Sequence, residues 1–260
     1  MRTEQHPVVI LCGGMGIRMG DERPKMLVRI GGHPVLWHVM KIYAAQGFTN
    51  FVLALGYRGQ DIKRYFLDYD VMSRDFTLTL DGEPNISYHG YSPETGWRIT
   101  FADTGLYTKT GSRIRKIAEY VETDTFFATY GDGVADIDLH ELLAFHRKMG
   151  RVATVTGVSS FSRFGVLRTD EQSIATQFEE KPLVEAMING GFFVFEREVF
   201  EYLGEGDDVV LEEEPLSRLV ADRQLAVYPH TGFWRAMDTF KDAQAMDAIW
   251  RENAPWKVWD

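Results

Sequence analysis

Residues 7–25 carry the first chemistry in this chain. An apolar run, Pro7-Val8-Val9-Ile10-Leu11-Cys12, stops at Gly13-Gly14 and hands over to a short loop with Arg18 within it and Lys25 at its end. A buried strand that ends in a glycine-rich turn leaves backbone N–H groups open, where phosphate oxygens approach without meeting a Cβ, and the two cations add charge. No Gly-Lys-Ser/Thr follows, which excludes a P-loop. Gly14-Met15-Gly16-Ile17-Arg18-Met19 lacks the third glycine of the dinucleotide fingerprint, and no acid lies about twenty residues on. What remains is Gly-Gly-x-Gly-x-Arg followed by Pro24-Lys25, a pattern that taken alone also describes a glycine turn beside surface cations.

Further polar groups share the position of that loop, just past an apolar strand. Asp132 lies between glycines in Tyr130-Gly131-Asp132-Gly133, Lys181 follows Glu179-Glu180, and Asp238 precedes Thr239 at the start of the last helix. Mg²⁺ takes oxygen ligands, commonly one or two carboxylates completed by water and substrate phosphate, so Asp132 and Asp238 facing a phosphate loop make a candidate metal pair. Each aspartate alone reads as well as a turn or helix cap. Met187-Ile188-Asn189-Gly190-Gly191 repeats the logic of the first loop, with Asn189 offering both donor and acceptor to a sugar hydroxyl. The histidines have no zinc spacing, and no Gly-x-Ser-x-Gly elbow is present. Cys12 reads as a small buried residue without a base beside it.

The elements that must hold these residues alternate. Strands are expected at 26–30, 51–55, 98–102 and 125–130, and helices from 33, over 60–68, from Ser112 as N-cap to 121, and from Asp138 as N-cap to 149. This gives an α/β fold, doubly wound around a mostly parallel sheet with right-handed crossovers. Residues 71–97 break into short alternating pieces, expected as a β excursion or partner surface. Strands follow at 153–158, 165–167, 175–178, 190–195 and 225–229, with helices at 196–202, 214–221 and 239–251, and Trp256 and Trp259 are expected to pack on the body or a neighbouring subunit rather than stack on a ligand. No composition break marks a boundary, so residues 1–260 are read as one domain, with 153–260 as its second half.

The formal net charge is −10, from 28 Lys+Arg against 38 Asp+Glu. A net-negative protein attracts neither nucleic acid nor a membrane surface, whereas a nucleotide needs only a local cluster of cations. One cysteine, no charged-then-apolar leader and no apolar run near eighteen residues point to the reducing cytoplasm.

Leu11-Cys12-Gly13-Gly14-Met15-Gly16-Ile17-Arg18 with Pro24-Lys25 resembles the signature of the sugar-1-phosphate nucleotidylyltransferases. The fuller set is similar to the glucose-1-phosphate cytidylyltransferases: Gly56-Tyr57, Asp103-Thr104-Gly105, Tyr130-Gly131-Asp132-Gly133-Val134-Ala135-Asp136, Glu180-Lys181-Pro182, Asn189-Gly190-Gly191-Phe192-Phe193 and Met237-Asp238-Thr239, in family order over nearly the whole chain. The resemblance implies transfer of a cytidylyl group from CTP to glucose 1-phosphate, giving CDP-glucose and pyrophosphate, in a homo-oligomer. It implies nucleotide contacts at Leu11, Gly13, Gly14, Arg18, Lys25, Thr104, Gly105, Arg113, Tyr130 and Gly131. Arg18, Lys25 and Lys181 would be the catalytic cations, Asp132 and Asp238 the Mg²⁺ ligands, and Glu180, Lys181, Asn189 and Gly190 the sugar contacts. Ile17, where the family commonly has threonine, leaves UTP or another sugar phosphate as the alternative substrate. A non-catalytic sugar-nucleotide sensor is the alternative of a different class.

Overall fold

A computed structural model describes residues 6–14, 24–82, 85–92, 94–159, 164–180, 182 and 186–259. The chain opens with β1 (Val8–Cys12), buried along its whole length. The strand expected at 26–30 is mostly something else. Pro24 starts a 3₁₀ turn over Lys25–Leu27, closed by the Leu27 amide donating to the Pro24 carbonyl at 2.8 Å, and only β2 (Arg29–Ile30) remains extended. It pairs with β3 (His33–Pro34) across Gly31-Gly32, both at positive φ. After β3 come α1 (Val35–Ala44), β4 (Asn50–Leu55), α2 (Gly59–Leu67), α3 (Tyr69–Ser73), the exposed hairpin β5 (Phe76–Thr79) and β6 (Asn85–Tyr88), and β7 (Arg98–Asp103). The middle of the chain holds α4 (Thr110–Lys116), β8 (Thr125–Tyr130), β9 (Gly133–Ala135), α5 (Leu139–Met149), β10 (Ala153–Val158), and a second exposed hairpin of β11 (Val166–Thr169) and β12 (Ala175–Glu179). It closes with β13 (Ile188–Glu196), α6 (Glu214–Ala221), β14 (Leu225–His230), β15 (Trp234–Ala236) and α7 (Phe240–Asn253).

Seven strands form one sheet in the order β14-β10-β13-β8-β1-β4-β7. Its pairs are parallel except those of β13, which runs antiparallel to both β10 and β8. The fold is therefore α/β with a mostly parallel central sheet. Each face carries its own apolar layer, with Ile10, Phe51, Phe127 and Phe192 on one side and Val9, Phe126, Phe193 and Phe195 on the other. This division follows from the side-chain alternation of a strand covered on both faces.

Helix capping corrects one expectation. Ser112 is not an N-cap. α4 begins earlier, Ser112 is buried within it, and its hydroxyl accepts the Val209 amide at 3.1 Å. Asp138 does cap α5, accepting from the Glu141 amide at 2.9 Å.

α1 is buried nearly all round, because the far end of the chain covers its outer side. His38 on that helix donates from Nε2 to the Ile30 carbonyl at 2.8 Å and accepts from the Trp256 indole at Nδ1 at 3.3 Å, among the rings of Trp37, Trp250 and Trp259. Burial pulls its pKa down to about 4, and the ring of His33 acts in the same direction. The folded chain thus keeps His38 neutral in a range where the unfolded chain has protonated it. Stability linked to His38 is complete above about pH 6.5 and is lost as pH falls toward 4, by roughly 3 kcal/mol. Urea unfolding from pH 4 to 7 is expected to show this slope in the wild-type chain, and a slope shallower by about one proton in His38→Gln.

Candidate active site

The parallel register brings the strand ends together. Leu11 pairs with Tyr130, and the Gly131 amide donates to the Leu11 carbonyl at 3.2 Å, so Gly13-Gly14 and Asp132 leave the sheet side by side. Gly131 is bare for a packing reason, since a Cβ there would stand 2.6 Å from the sulfur of Met26. Met26 is buried against it, and this contact seats the 3₁₀ turn that carries Lys25. Asp238 arrives by a separate route. β15 pairs with β9, Ala236 opposite Gly133, and the Met237 amide donates to the Asp132 carbonyl at 2.9 Å.

Whether Asp238 is only a cap is answered by its neighbour. Thr239 is the N-cap of α7, in a capping box with Asp242. The Asp238 carboxylate turns instead to the Lys25 ammonium, which donates to Asp238 Oδ1 at 3.0 Å and to Asp132 Oδ2 at 2.5 Å. The Lys25 side chain is 12% exposed. Burial alone would lower its pKa, but the charge and hydrogen bonds of Asp132, then those of Asp238, outweigh burial and raise it. Lys25 is a cation at neutral pH. Cys12 is a buried thiol, pushed up by burial and then by Asp132, which removes it as a nucleophile.

A cavity of about 620 Å³ opens over these residues, lined by Leu11, Gly13, Gly14, Lys25, Tyr130, Asp132 and Asp238 among others. Arg113 also lines it, but its guanidinium is committed to the protein. It donates to the carbonyls of Leu55 (2.8 Å), Gly105 (2.9 Å), Gly13 (3.1 Å) and Leu106 (3.4 Å) and to the Thr104 hydroxyl (2.5 Å). A Cβ at Gly13 would overlap this guanidinium, and one at Gly56 would stand 2.5 Å from it. Gly13 is therefore bare toward Arg113, whereas Gly14 is exposed with open space where a Cβ would lie.

The far wall of the cavity is built from residues that no sequence motif groups with the rest. Lys109, Thr110, Asp208 and Glu212 line it. Glu212 accepts from the Thr110 hydroxyl at 2.7 Å and from the Tyr130 hydroxyl, whose pKa is raised by burial and then by Glu212. Residues 207–214 set acids on either side of Val209, Val210 and buried Leu211, and no motif in the sequence marks them. On the other side of Tyr130, Asn189 donates to the Tyr130 hydroxyl at 3.4 Å and accepts from the Gly191 amide at 2.8 Å. Gly191 has φ +79°, and a Cβ there would stand 2.6 Å from the Tyr130 ring. The Trp234 indole donates to the Gly190 carbonyl at 2.6 Å.

The structure thus brings Leu11, Gly13, Gly14, Lys25, Arg113, Tyr130, Gly131, Asp132 and Asp238 together, with Thr104 and Gly105 joined through Arg113 and Asn189-Gly190 through Tyr130 and Trp234. Glu180 stands on the exposed side, directly after β12, and is not among the described residues that line the cavity. Arg18 and Lys181 lie outside the described residues.

Residues 7–242 match the family described as Nucleotidyl transferase. A Bacillus subtilis protein named as a probable glucose-1-phosphate cytidylyltransferase is 46% identical over 255 residues, covering 96% of this chain and 99% of its own. The glucose-1-phosphate cytidylyltransferase of Salmonella typhi is 40% identical over 258 residues, covering 97% and 99%. This chain belongs to the glucose-1-phosphate cytidylyltransferases, within the nucleotidyl transferase family. Solved structures of much lower identity share the fold. HddC from Yersinia pseudotuberculosis, solved in complex with GMP-PN, superposes with a TM-score of 0.69 at 19% identity, over 94% of this chain and 99% of that one. A glucose-1-phosphate thymidylyltransferase-like structure from Bacillus anthracis superposes at 0.68 and 17%, over 94% and 95%.

The donor set fits a divalent cation in this cytidylyltransferase-family site. Two carboxylates from different strand ends already converge on one positive centre, the Lys25 ammonium, and offer it only oxygen. Hard oxygen donors with room left for water and phosphate are what Mg²⁺ requires.

Proposed function

We propose that this chain transfers the cytidylyl group of CTP to glucose 1-phosphate. A phosphate oxygen of the sugar phosphate attacks the α-phosphorus of CTP. The new P–O bond forms as the bond from the α-phosphorus to the bridging oxygen breaks, and pyrophosphate leaves with that electron pair. A phosphate monoester has a second pKa near 6, so the nucleophile is largely ionised at neutral pH and needs no protein base.

Repulsion between two polyanions is the barrier the site must lower, and fixed cations and in-line positioning do this. The convergence of Lys25, Asp132 and Asp238 at the strand ends is the observation that carries the reading. Gly14, Lys25 and Arg18 hold the triphosphate. Arg113 shapes the wall that faces the base, next to Thr104 and Gly105. Asn189 and Gly190, with Glu180 and Lys181, hold the sugar phosphate in the half 153–260. Asp132 and Asp238 hold Mg²⁺, which supplies charge neutralisation of the phosphates when bound.

Incubation with glucose 1-phosphate and each of CTP, UTP, ATP and GTP, with products weighed by mass spectrometry, tests the reading. CDP-glucose and pyrophosphate are expected with CTP. Equal rates with UTP would overturn the choice of cytosine, and no Mg²⁺-dependent pyrophosphate release would overturn the enzyme reading.

The chain works in the cytoplasm, a compartment compatible with its free, buried Cys12. No helix among the described residues is long and apolar enough to cross a membrane. It assembles as a homo-oligomer through the excursion 71–97, where Leu78 and Ile86 on β5–β6 are exposed and Met72 is 80% exposed. Light scattering at micromolar concentration is expected to give a multiple of the 29.8 kDa chain, and a monomer overturns this part.

A further inference from the structure

Lys25 lies where two kinds of anion can reach it, protein carboxylate and bound phosphate, and in the free chain both of its carboxylate partners hold it. Its ammonium donates to Asp132 Oδ2 and Asp238 Oδ1, the same two carboxylates that suit a divalent cation. Each carboxylate keeps a second oxygen, but an ammonium and a divalent cation sharing the pair would stand close together as like charges, so the two compete for it. The backbone under Lys25 is fixed. The Val28 amide donates to the Lys25 carbonyl at 3.1 Å, and Met26 is buried against Gly131. The side chain is a flexible four-carbon stem, and it lines the same cavity as Gly13 and exposed Gly14. A triphosphate resting on that turn would offer the ammonium phosphate oxygens within its swing.

We propose that Lys25 is a displaceable internal cation, occupying the Asp132 and Asp238 carboxylates until nucleotide draws it away and opens them to the metal. The inference rests on the metal reading above and adds an order to it. In the free chain the lysine keeps two neighbouring carboxylates from repelling one another. On the triphosphate it joins the charges that hold the nucleotide, and the vacated carboxylates become metal ligands. Metal and nucleotide then raise each other's affinity, because each pays part of the cost of moving the same side chain.

The test uses Mn²⁺ alone, without nucleotide, titrated into the full-length chain and followed by isothermal calorimetry and by the loss of the free-ion paramagnetic signal. Lys25→Gln and Lys25→Met are both expected to bind Mn²⁺ on the order of tenfold or more tighter than the wild-type chain, and Lys25→Gln/Asp132→Asn to lose the gain. Lys109→Gln removes a positive charge elsewhere on the same cavity and is expected to change Mn²⁺ affinity less than about twofold. Equal Mn²⁺ affinity in wild type and both Lys25 variants overturns the proposal, as does no binding to any of them, because removing the lysine would then have released nothing. An equal gain in Lys109→Gln also overturns it, in favour of a general charge effect. Failure of the metal reading itself is seen separately, as wild-type turnover that survives removal of divalent cations.

Discussion

Asp132→Asn is expected to turn over CTP and glucose 1-phosphate on the order of 10²–10³ times more slowly than the wild-type chain, by analogy with loss of one charge-stabilising group. The substitution keeps the shape and one acceptor oxygen, which can still receive the Lys25 ammonium, turns the other oxygen into a donor and removes the charge. Its backbone anchor is untouched, because the Met237 amide donates to the main-chain carbonyl of residue 132. The loss is expected mainly in kcat, since the charge on Asp132 counts most where the phosphates are crowded together. Asp238→Asn should act on the same unit, so the double variant is expected to be little slower than either single one. Near-normal turnover of Asp132→Asn, with circular dichroism and melting temperature unchanged, would remove Asp132 from the metal assignment.

The sequence reveals most where a feature is local. β1, β4, β8 and β10 are short buried runs, the first three stopped by Gly13, Gly56 and Gly131, and their length and β-branched or aromatic content mark them as strands covered on both faces. Once those strands are placed in a parallel sheet, their carboxyl ends share one edge, which groups Asp132, Asp238, Arg18, Lys25 and Lys181 by position alone; of these the structure describes Lys25, Asp132 and Asp238, and they meet. Asp238 was harder. Asp238-Thr239 contains two residues able to cap a helix, and only the pairing of β15 with β9 and the Asp242 contact show that Thr239 caps while Asp238 faces Lys25.

Features that depend on distant partners are legible only in part: the packing of Trp256 can be expected, but not the helix it covers. The periodicity of α1 suggests one buried face, yet Trp256, 218 residues away from His38, buries the other. Ser112 looks like a cap because serine often is one. Its hydroxyl is taken by Val209, and Thr110 similarly accepts the Leu211 amide at 2.9 Å. Those two bonds fold residues 207–214 onto α4 and so build the Glu212 wall. Neither could be inferred from spacing.

Arg113→Met is expected to destabilise the fold by about 3 kcal/mol or more, and to weaken nucleotide binding in the fraction that remains folded. The guanidinium ties the end of β1, the end of β4 and the loop after β7 to a single residue of α4. Burial lowers its pKa, which expresses the cost of keeping a cation there, and the acceptors around it offset that cost. Methionine fills much of the volume but donates nothing, leaving buried carbonyls that water reaches only by opening the loop. Arg113→Lys is expected to recover only part of the loss, because one ammonium has three donors on a single nitrogen and cannot span acceptors on three segments. Urea unfolding separates the variants by stability, and CTP titration of each at a concentration of urea where it is still folded separates them by affinity. If Arg113→Met matched the wild-type chain in stability but not in CTP affinity, the guanidinium would be acting directly on the nucleotide rather than through the loops it holds.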